Sequence, residues 1–150
     1  SPYDTINTNS RGSADRLTSL PMDLSTYKTS TLPIRISFYW QPQGNGEAPD
    51  SVSGDKLSLY FKNKNGNWIE IWKVGGSGLL PFTQVNLPII ESAENEYYYK
   101  GFQFRFENRG RLTGNFDHWM LDYVYVGSDM PESGIVDYND QSFEKPTPSL

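Results

Sequence analysis

One short stretch, residues 106–126, concentrates the side chains that could do acid–base chemistry. Its sequence, FENRGRLTGNFDHWMLDYVYV, contains Asp117, Asp122 and His118, the only histidine of the chain. A Ser-His-Asp triad would need His118 as its base, but adjacent strand residues point to opposite faces, so Asp117 is not placed to orient it. The chain also lacks a G-x-S-x-G nucleophile motif. We therefore predict a hydrogen-bonded histidine at the start of a strand.

Two pairs of carboxylates could serve a glycoside hydrolase, which uses one carboxyl group as acid and the other as base or nucleophile. The candidate pairs are Glu70 with Asp55 and Asp117 with Asp122. The odd spacing of Asp117 and Asp122 puts them on opposite faces of a regular strand. Nothing in the sequence indicates a raised pKa for either pair. We predict that the chain is not an enzyme, with hydrolysis as the least favoured alternative.

Composition limits metal chemistry. The chain has one histidine and no cysteine, whereas zinc takes three or four nitrogen or sulfur ligands as a rule. The lack of cysteine also excludes disulfides, thiolate metal sites and cysteine nucleophiles.

Aromatic residues at alternating positions indicate three candidate carbohydrate-binding faces, one of them formed by Arg35 and Tyr39. Sugars place their apolar faces on aromatic rings and hydrogen-bond to flanking polar groups. Aromatic-rich sandwiches also use tryptophan and tyrosine for packing, which is the alternative for each face. The candidate ligand-binding residues are Trp68, Glu70 and Trp72 on one predicted face and Tyr99, Gln103 and Arg105, together with Tyr97, on another.

Alternation of apolar and polar residues predicts the strands that would position these side chains. Asn65-Gly66 predicts a hairpin turn, Pro88 indicates an edge or bulge, and the last strand, apolar on both faces, is expected at the centre of a sheet. A short strand and a turn are predicted within 20–30. The other predicted strands are 32–41, 56–62, 68–74, 82–90, 97–108 and 118–126.

The whole chain fits one domain of an all-β class. It has 150 residues, 15% aromatic residues, 13 glycines and 10 prolines, and no helical period persists for two turns. This predicts a jelly-roll-like antiparallel β-sandwich of six to eight short strands over residues 1–127. Residues 1–23 are predicted as an extended lead-in. Residues 128–150 are predicted as an acidic, proline-containing linker or tail.

Charge and hydropathy narrow the class of partner. The net charge is −5, and the sequence shows no basic stripe, so a nucleic-acid partner is not expected. An anionic membrane surface is disfavoured for the same reason. Since no apolar run approaches membrane-spanning length, membrane insertion is not expected either.

The order of the motifs is similar to MAM-type and related jelly-roll domains over residues 24–127. The motifs are FYWQPQG, LSLYFKNKNGNWIEIWKVGG, FTQVNLPI, GFQFRFEN and WMLDYVYV. Three longer segments, ADRLTSLPMDLS, SFYWQPQGNGEAPDSVSGDKLSLYFKN and NFDHWMLDYVYV, resemble a sandwich module of large exported proteins from gliding bacteria that use type IX secretion. Members have one more strand before the position of Ser1, which predicts that the domain here lacks its first strand.

The resemblance implies a candidate calcium site in the last strand. In the resembled jelly rolls a calcium ion lies where the last-strand aspartate, which maps to Asp122, meets an acidic residue of the first strand. That partner would fall before Ser1, and Asp117 and Asn115 are the other oxygen ligands that could contribute. Calcium is therefore the only cofactor that we consider. The alternative is that Asp122 caps turn amides or pairs with an arginine such as Arg105.

The resemblance also implies an extracellular or outer-surface location and a non-catalytic role in adhesion, assembly or domain spacing. The expected partners are other domains of the same long chain, other proteins, or a glycan. A carbohydrate-binding module is the alternative function. The start at Ser1 without methionine and the terminal EKPTPSL predict that the chain is a piece of a longer protein.

Overall fold

A computed structural model describes residues 11–42, 56–75, 80–111 and 119–128, and the side chains of these except 11–15, 110 and 111. Within these ranges the chain forms antiparallel strands and a 3₁₀ turn at Ser25–Tyr27. This confirms the all-β sandwich prediction. The strands are β1 (Arg11–Thr18), β2 (Met22–Asp23), β3 (Arg35–Pro42), β4 (Lys56–Lys62), β5 (Trp68–Gly75), β6 (Thr83–Pro88), β7 (Lys100–Phe102), β8 (Phe104–Arg111) and β9 (Trp119–Gly127).

The described strands form three sheets. The largest has the strand order β1-β8-β4-β5, the second has the order β6-β3-β9, and β2 pairs with β7 in a two-stranded ribbon. The predicted hairpin joins β4 to β5, and its Gly66 has a φ of 91° that suits glycine. The prediction that Pro88 marks an edge agrees with β6, which has one described neighbour, β3.

Aromatic rings join the two larger sheets. Phe38 of β3 meets Trp72 of β5 at a centroid distance of 5.1 Å and Phe106 of β8 at 4.9 Å, both edge to face. Trp40 meets Trp72 at 5.9 Å. Each such pair contributes about 0.5–1.5 kcal/mol beyond the burial of its apolar area. The core therefore lies between β3 on one side and β4, β5 and β8 on the other.

Residues 97–108 do not form the single predicted strand. They contain β7 and β8, which pair in different sheets on either side of Gln103. The Gln103 side chain donates a hydrogen bond to the Ser19 carbonyl oxygen at 2.8 Å, and the Ser19 hydroxyl accepts one from the Phe104 amide at 3.0 Å. Because Ser19 lies between β1 and β2, both chain segments leave one sheet and enter the next at the same place.

The extended lead-in predicted at 1–23 contains β1, which pairs along its length with β8. One further expectation from the sequence is wrong. The last strand β9 lies beside β3 and has no second neighbour among the described strands. A bulge at Tyr123, whose φ is 52°, turns its ring outward, where it is 46% exposed. Because this outward residue is aromatic, both faces of β9 look apolar in the sequence, which predicts the strand at the centre of a sheet.

The backbone at Gly101 predicts a measurable loss of stability for one small substitution. Gly101 in β7 has a φ of 116°, which L residues rarely adopt, so Gly101→Ala should lower the free energy of unfolding by about 1–3 kcal/mol. Urea denaturation followed by tryptophan fluorescence measures this change. Gly75→Ala is the control, because a Cβ there meets no atom within 4 Å. An equal response of the two variants would contradict the strain at Gly101.

Candidate functional site

The outer side of the four-stranded sheet gathers polar and aromatic side chains from four strands. Cross-strand partners share a face of a sheet, and Thr18, Arg105, Tyr60 and Glu70 are partners in one continuous row. The alternate residues of β4, which are Leu57, Leu59 and Phe61, are buried and point the other way, into the core. This row therefore faces outward.

Arg105 is fixed at the centre of this side. Its Nε donates a hydrogen bond to the Thr18 hydroxyl at 2.8 Å, and its guanidinium lies 4.0 Å from the Trp68 ring centroid. Lys62 places its Nζ 5.8 Å from the same ring. Burial lowers the pKa of Arg105, repulsion from Arg16 lowers it further, and attraction to Glu107 opposes both effects. The Trp68 ring thus lies close to two cations, and the Arg105 guanidinium covers one of its faces.

Trp68, Glu70 and Trp72 do not share one face as predicted. A bulge in β5 lets Glu70 pair with Tyr60 and Trp72 pair with Leu59, so that Ile71 is the additional residue. Leu59 is fully buried, and Trp72 contacts Phe38 in the core. An extra residue reverses the alternation of side chains. Trp68 and Glu70 therefore face outward, and Trp72 faces inward.

Glu70 is held by an ion pair on the outer side. Its Oε2 accepts hydrogen bonds from Lys56 Nζ at 2.9 Å and from the Ser58 hydroxyl at 2.8 Å. Burial raises the pKa of Glu70, but these hydrogen bonds outweigh burial and the pKa is lowered. Its proposed hydrolase partner Asp55 lies outside the described residues.

The outer side of this sheet concentrates positive charge. Among its described side chains six are cationic and two anionic, a net charge of +4, whereas the other described side chains comprise four cations and five anions, a net charge of −1. Sequence alone indicated no basic stripe, because the cations are scattered over four strands. We call this surface the basic face; its charged residues are Arg16, Lys56, Lys62, Lys73, Arg105 and Arg109, with Glu70 and Glu107.

A second predicted ligand-binding face is divided by the fold. Tyr97 is 3% exposed and packs on Phe61 at 5.3 Å. Gln103 is bonded to the backbone at the sheet junction. The Tyr99 hydroxyl donates to the Lys62 carbonyl oxygen at 2.7 Å. Of the predicted set, Arg105 therefore belongs to the basic face, and Tyr99 belongs to a pocket.

This pocket lies beside the 3₁₀ turn and has a volume of about 650 Å³. Lys28 lines it, with Nζ 3.1 Å from Glu91 and 2.9 Å from Glu96. Sequence reasoning missed it, because its walls come from segments far apart in the chain. We call it the lysine–tyrosine pocket; it is lined by Ser25, Lys28, Lys64, Glu96, Tyr98, Tyr99 and Lys100.

Glu91 organises the wall of this pocket. Its Oε2 accepts hydrogen bonds from the backbone amides of Tyr97 and Tyr98, both at 2.9 Å, and from Lys28 Nζ at 3.2 Å. Burial raises the pKa of Glu91, but the bonds from Tyr98 and Lys28 outweigh it, so the pKa is lowered. Glu91 therefore acts as a charged cap that fixes the Tyr97–Tyr98 backbone.

The predicted calcium ligands are not brought together within the described residues. Asp122 is exposed, and its Oδ1 accepts a hydrogen bond from the Tyr123 amide at 2.8 Å. Asp122 pairs with Tyr39 on the outer side of the three-stranded sheet, whereas Arg105 faces outward from the other sheet. Asp117 and His118 lie outside the described residues. Within the described ranges no three His, Cys, Asp or Glu side chains cluster as metal ligands would.

Comparison with known proteins does not assign the chain to a family. No protein-family model matches it, and no curated protein matches it significantly. Across the described ranges, none of the helical segments has the length and apolar character needed to cross a membrane.

The cap at Glu91 predicts a pH-dependent contribution to stability. Glu91→Gln should lower the free energy of unfolding at pH 7 by about 1–2 kcal/mol, because a charge-assisted acceptor for two amides is lost. The folded pKa lies below the ordinary 4.5, so this contribution is present above 4.5 and lost as the pH falls through the folded pKa.

Urea denaturation at pH 7 and at about pH 3 would test this difference, which should shrink at the lower pH. The exposed Glu94→Gln is the control and should change stability at pH 7 by less than about 0.5 kcal/mol. A Glu91→Gln deficit that is equal at both pH values would contradict the cap.

Calcium binding at Asp122 stays a prediction with a direct test. A ligand that binds the native state raises stability by mass action, by about 2.7 kcal/mol at one hundred times its Kd. We therefore expect millimolar calcium to raise the melting temperature after EDTA treatment, and Asp122→Asn to abolish the rise. An unchanged melting temperature in the unsubstituted chain would remove Asp122 as a calcium ligand.

Proposed function

We propose that this chain is a non-catalytic binding module that holds an acidic glycan on its basic face. The observation that carries the proposal is the net charge of +4 on this face, against −1 for the other described side chains. Clustered charge of one sign attracts polymers of the other sign and raises their rate of association. The ligand-binding role follows from this attraction.

The positive charge of the face is only partly neutralised by its own carboxylates. Glu70 pairs with Lys56 at 2.9 Å, and Glu107 lies 3.6 Å from Arg16. The remaining cations form no ion pair within the described part of the chain, and two of them lie over the Trp68 ring. These cations are Lys62, Lys73, Arg105 and Arg109.

A glycan suits this face better than a nucleic acid or an acidic peptide. Bases stack on open aromatic rings, but the Arg105 guanidinium covers a face of the Trp68 ring at 4.0 Å. Glu70 and Glu107 offer oxygen acceptors between the cations. A polymer that carries both carboxylates and many hydroxyl donors matches such mixed chemistry. The proposed carbohydrate binding therefore depends on charge and hydrogen bonding, and not on stacking of a sugar on Trp68 and Trp72 as the sequence predicted.

The lowered pKa values favour a non-catalytic role. A general acid at neutral pH needs a raised pKa, whereas the pKa values of Asp23, Glu70, Glu91 and Glu96 are all lowered. For Asp23 the main cause is the hydrogen bond from the Ser25 side chain, and for Glu96 it is the bond from Lys28. These carboxylates stay ionised and hold cations and amides in place.

An extracellular or outer-surface location is part of this proposal. It rests on the resemblance to modules of exported proteins and agrees with an acidic glycan as partner. Adhesion, assembly and spacing of neighbouring domains are roles that such a contact would serve.

Binding to defined polymers tests the proposal. In biolayer interferometry with immobilised polygalacturonate, we expect binding that weakens as salt rises, because the attraction is between exposed charges. The double variant Lys62→Gln/Arg109→Gln should bind about tenfold or more weakly. Neutral dextran is the ligand control. The matched protein control is Leu80→Glu/Phe82→Glu, which lowers the net charge by the same two units at exposed positions next to β6, away from the basic face and the lysine–tyrosine pocket, and should retain most of the binding.

Three results would overturn the proposal. Equal weakening by both double variants would show that net charge matters and the face does not. Equal binding to dextran would remove the electrostatic basis. Tighter binding to polyglutamate or to a single-stranded oligonucleotide would assign the face to an acidic peptide or a nucleic acid.

A further inference from the structure

We infer that the lysine–tyrosine pocket is a second binding site, which takes a single carboxylated sugar unit. The pocket is separate from the basic face, and the inference does not depend on the function proposed for that face. Its volume of about 650 Å³ lies within the range of about 300–1,000 Å³ typical of small-ligand sites.

The aromatic wall is held in one position by hydrogen bonds to the backbone. The Tyr98 hydroxyl accepts from the Ile34 amide at 2.8 Å and donates to the Ile89 carbonyl oxygen at 2.9 Å. The Tyr99 hydroxyl donates to the carbonyl oxygen of Lys62. Since both hydroxyls are engaged, the rings offer the pocket their carbon surface. A preorganised aromatic wall of this kind suits the apolar face of a pyranose.

Two of the three lysines are available to a ligand. Lys28 is held by Glu91 and Glu96, which together more than balance its charge; Lys64 is also attracted to Glu96, and Lys100 to Asp23. Lys64 and Lys100 form no ion pair or side-chain hydrogen bond within the described part of the chain, and they reach the pocket from different segments. Two ammonium groups at the rim of one pocket are a receptor for a carboxylate.

The remaining lining provides acceptors for sugar hydroxyls. The Glu96 carboxylate stays ionised, because the bond from Lys28 lowers its pKa, and it lines the pocket beside Ser25. The Ser25 hydroxyl donates to Asp23, so its lone pairs are left to accept. An inorganic anion would use the lysines alone. A uronic acid would use the lysines, the acceptors and the tyrosine rings together.

An NMR titration of the ¹⁵N-labelled 150-residue chain tests the inference. D-galacturonate should shift the amide signals of residues 96–100, with a Kd on the order of 1 mM. Galactose and methyl galacturonate have the same ring without the charge and should bind about tenfold or more weakly. Lys64→Gln/Lys100→Gln should weaken galacturonate binding by about tenfold or more. Both lysines are exposed, and an unchanged melting temperature would verify that the variant is folded.

The variants of the basic face separate this inference from the proposed function. Lys62→Gln/Arg109→Gln should keep its affinity for galacturonate, even though polymer binding at the face is lost. Equal affinity for galactose and galacturonate would overturn the carboxylate site. Inorganic phosphate that binds as tightly as galacturonate and shifts the same signals would overturn the sugar assignment. Shifts confined to the basic face would overturn the pocket.

Discussion

The edge-to-face contacts of Phe38 with Trp72 and Phe106 are the constraint on which the rest of the structure depends. They join β3 to the four-stranded sheet and so decide which side of that sheet is its inside. Once Phe106 points inward, alternation along β8 directs Arg105 outward. The position of each cation on the basic face is therefore a consequence of packing on the opposite side of the same strands.

Two irregularities, a bulge in β5 and the interruption between β7 and β8, change this alternation of side chains at the two proposed binding sites. Without the bulge at Ile71, Glu70 and Trp72 would lie on one face, and either the core would lose an indole or a carboxylate would be buried. The interruption at Gln103 has a comparable effect. It lets the chain change sheets, which gives the lysine–tyrosine pocket a wall at Tyr98 and Tyr99.

Alternating hydropathy was enough to predict the fold class and most strands from sequence, because burial on one side of a strand leaves a period of two. The hairpin at Gly66 followed from local turn chemistry. The faces of Trp72 and Tyr97 were mispredicted, because a bulge and a change of sheet are settled by tertiary contacts. The strand β1 was missed because it is polar, and its partner β8 is distant in sequence. The basic face and the lysine–tyrosine pocket were not predicted for the same reason, because their charged side chains come together only after distant segments of the chain have packed.

The described side chains are unevenly charged, with +4 on the basic face and −1 on all the others. A surface of negative charge acts on them mainly within the Debye length of about 8 Å at physiological salt, because charges farther apart are largely screened. Within that distance it exerts a torque that turns the basic face towards it. Encounter and orientation are then a single event. A bound molecule would have one defined side against the surface, with the three-stranded sheet and Tyr123 directed away from it.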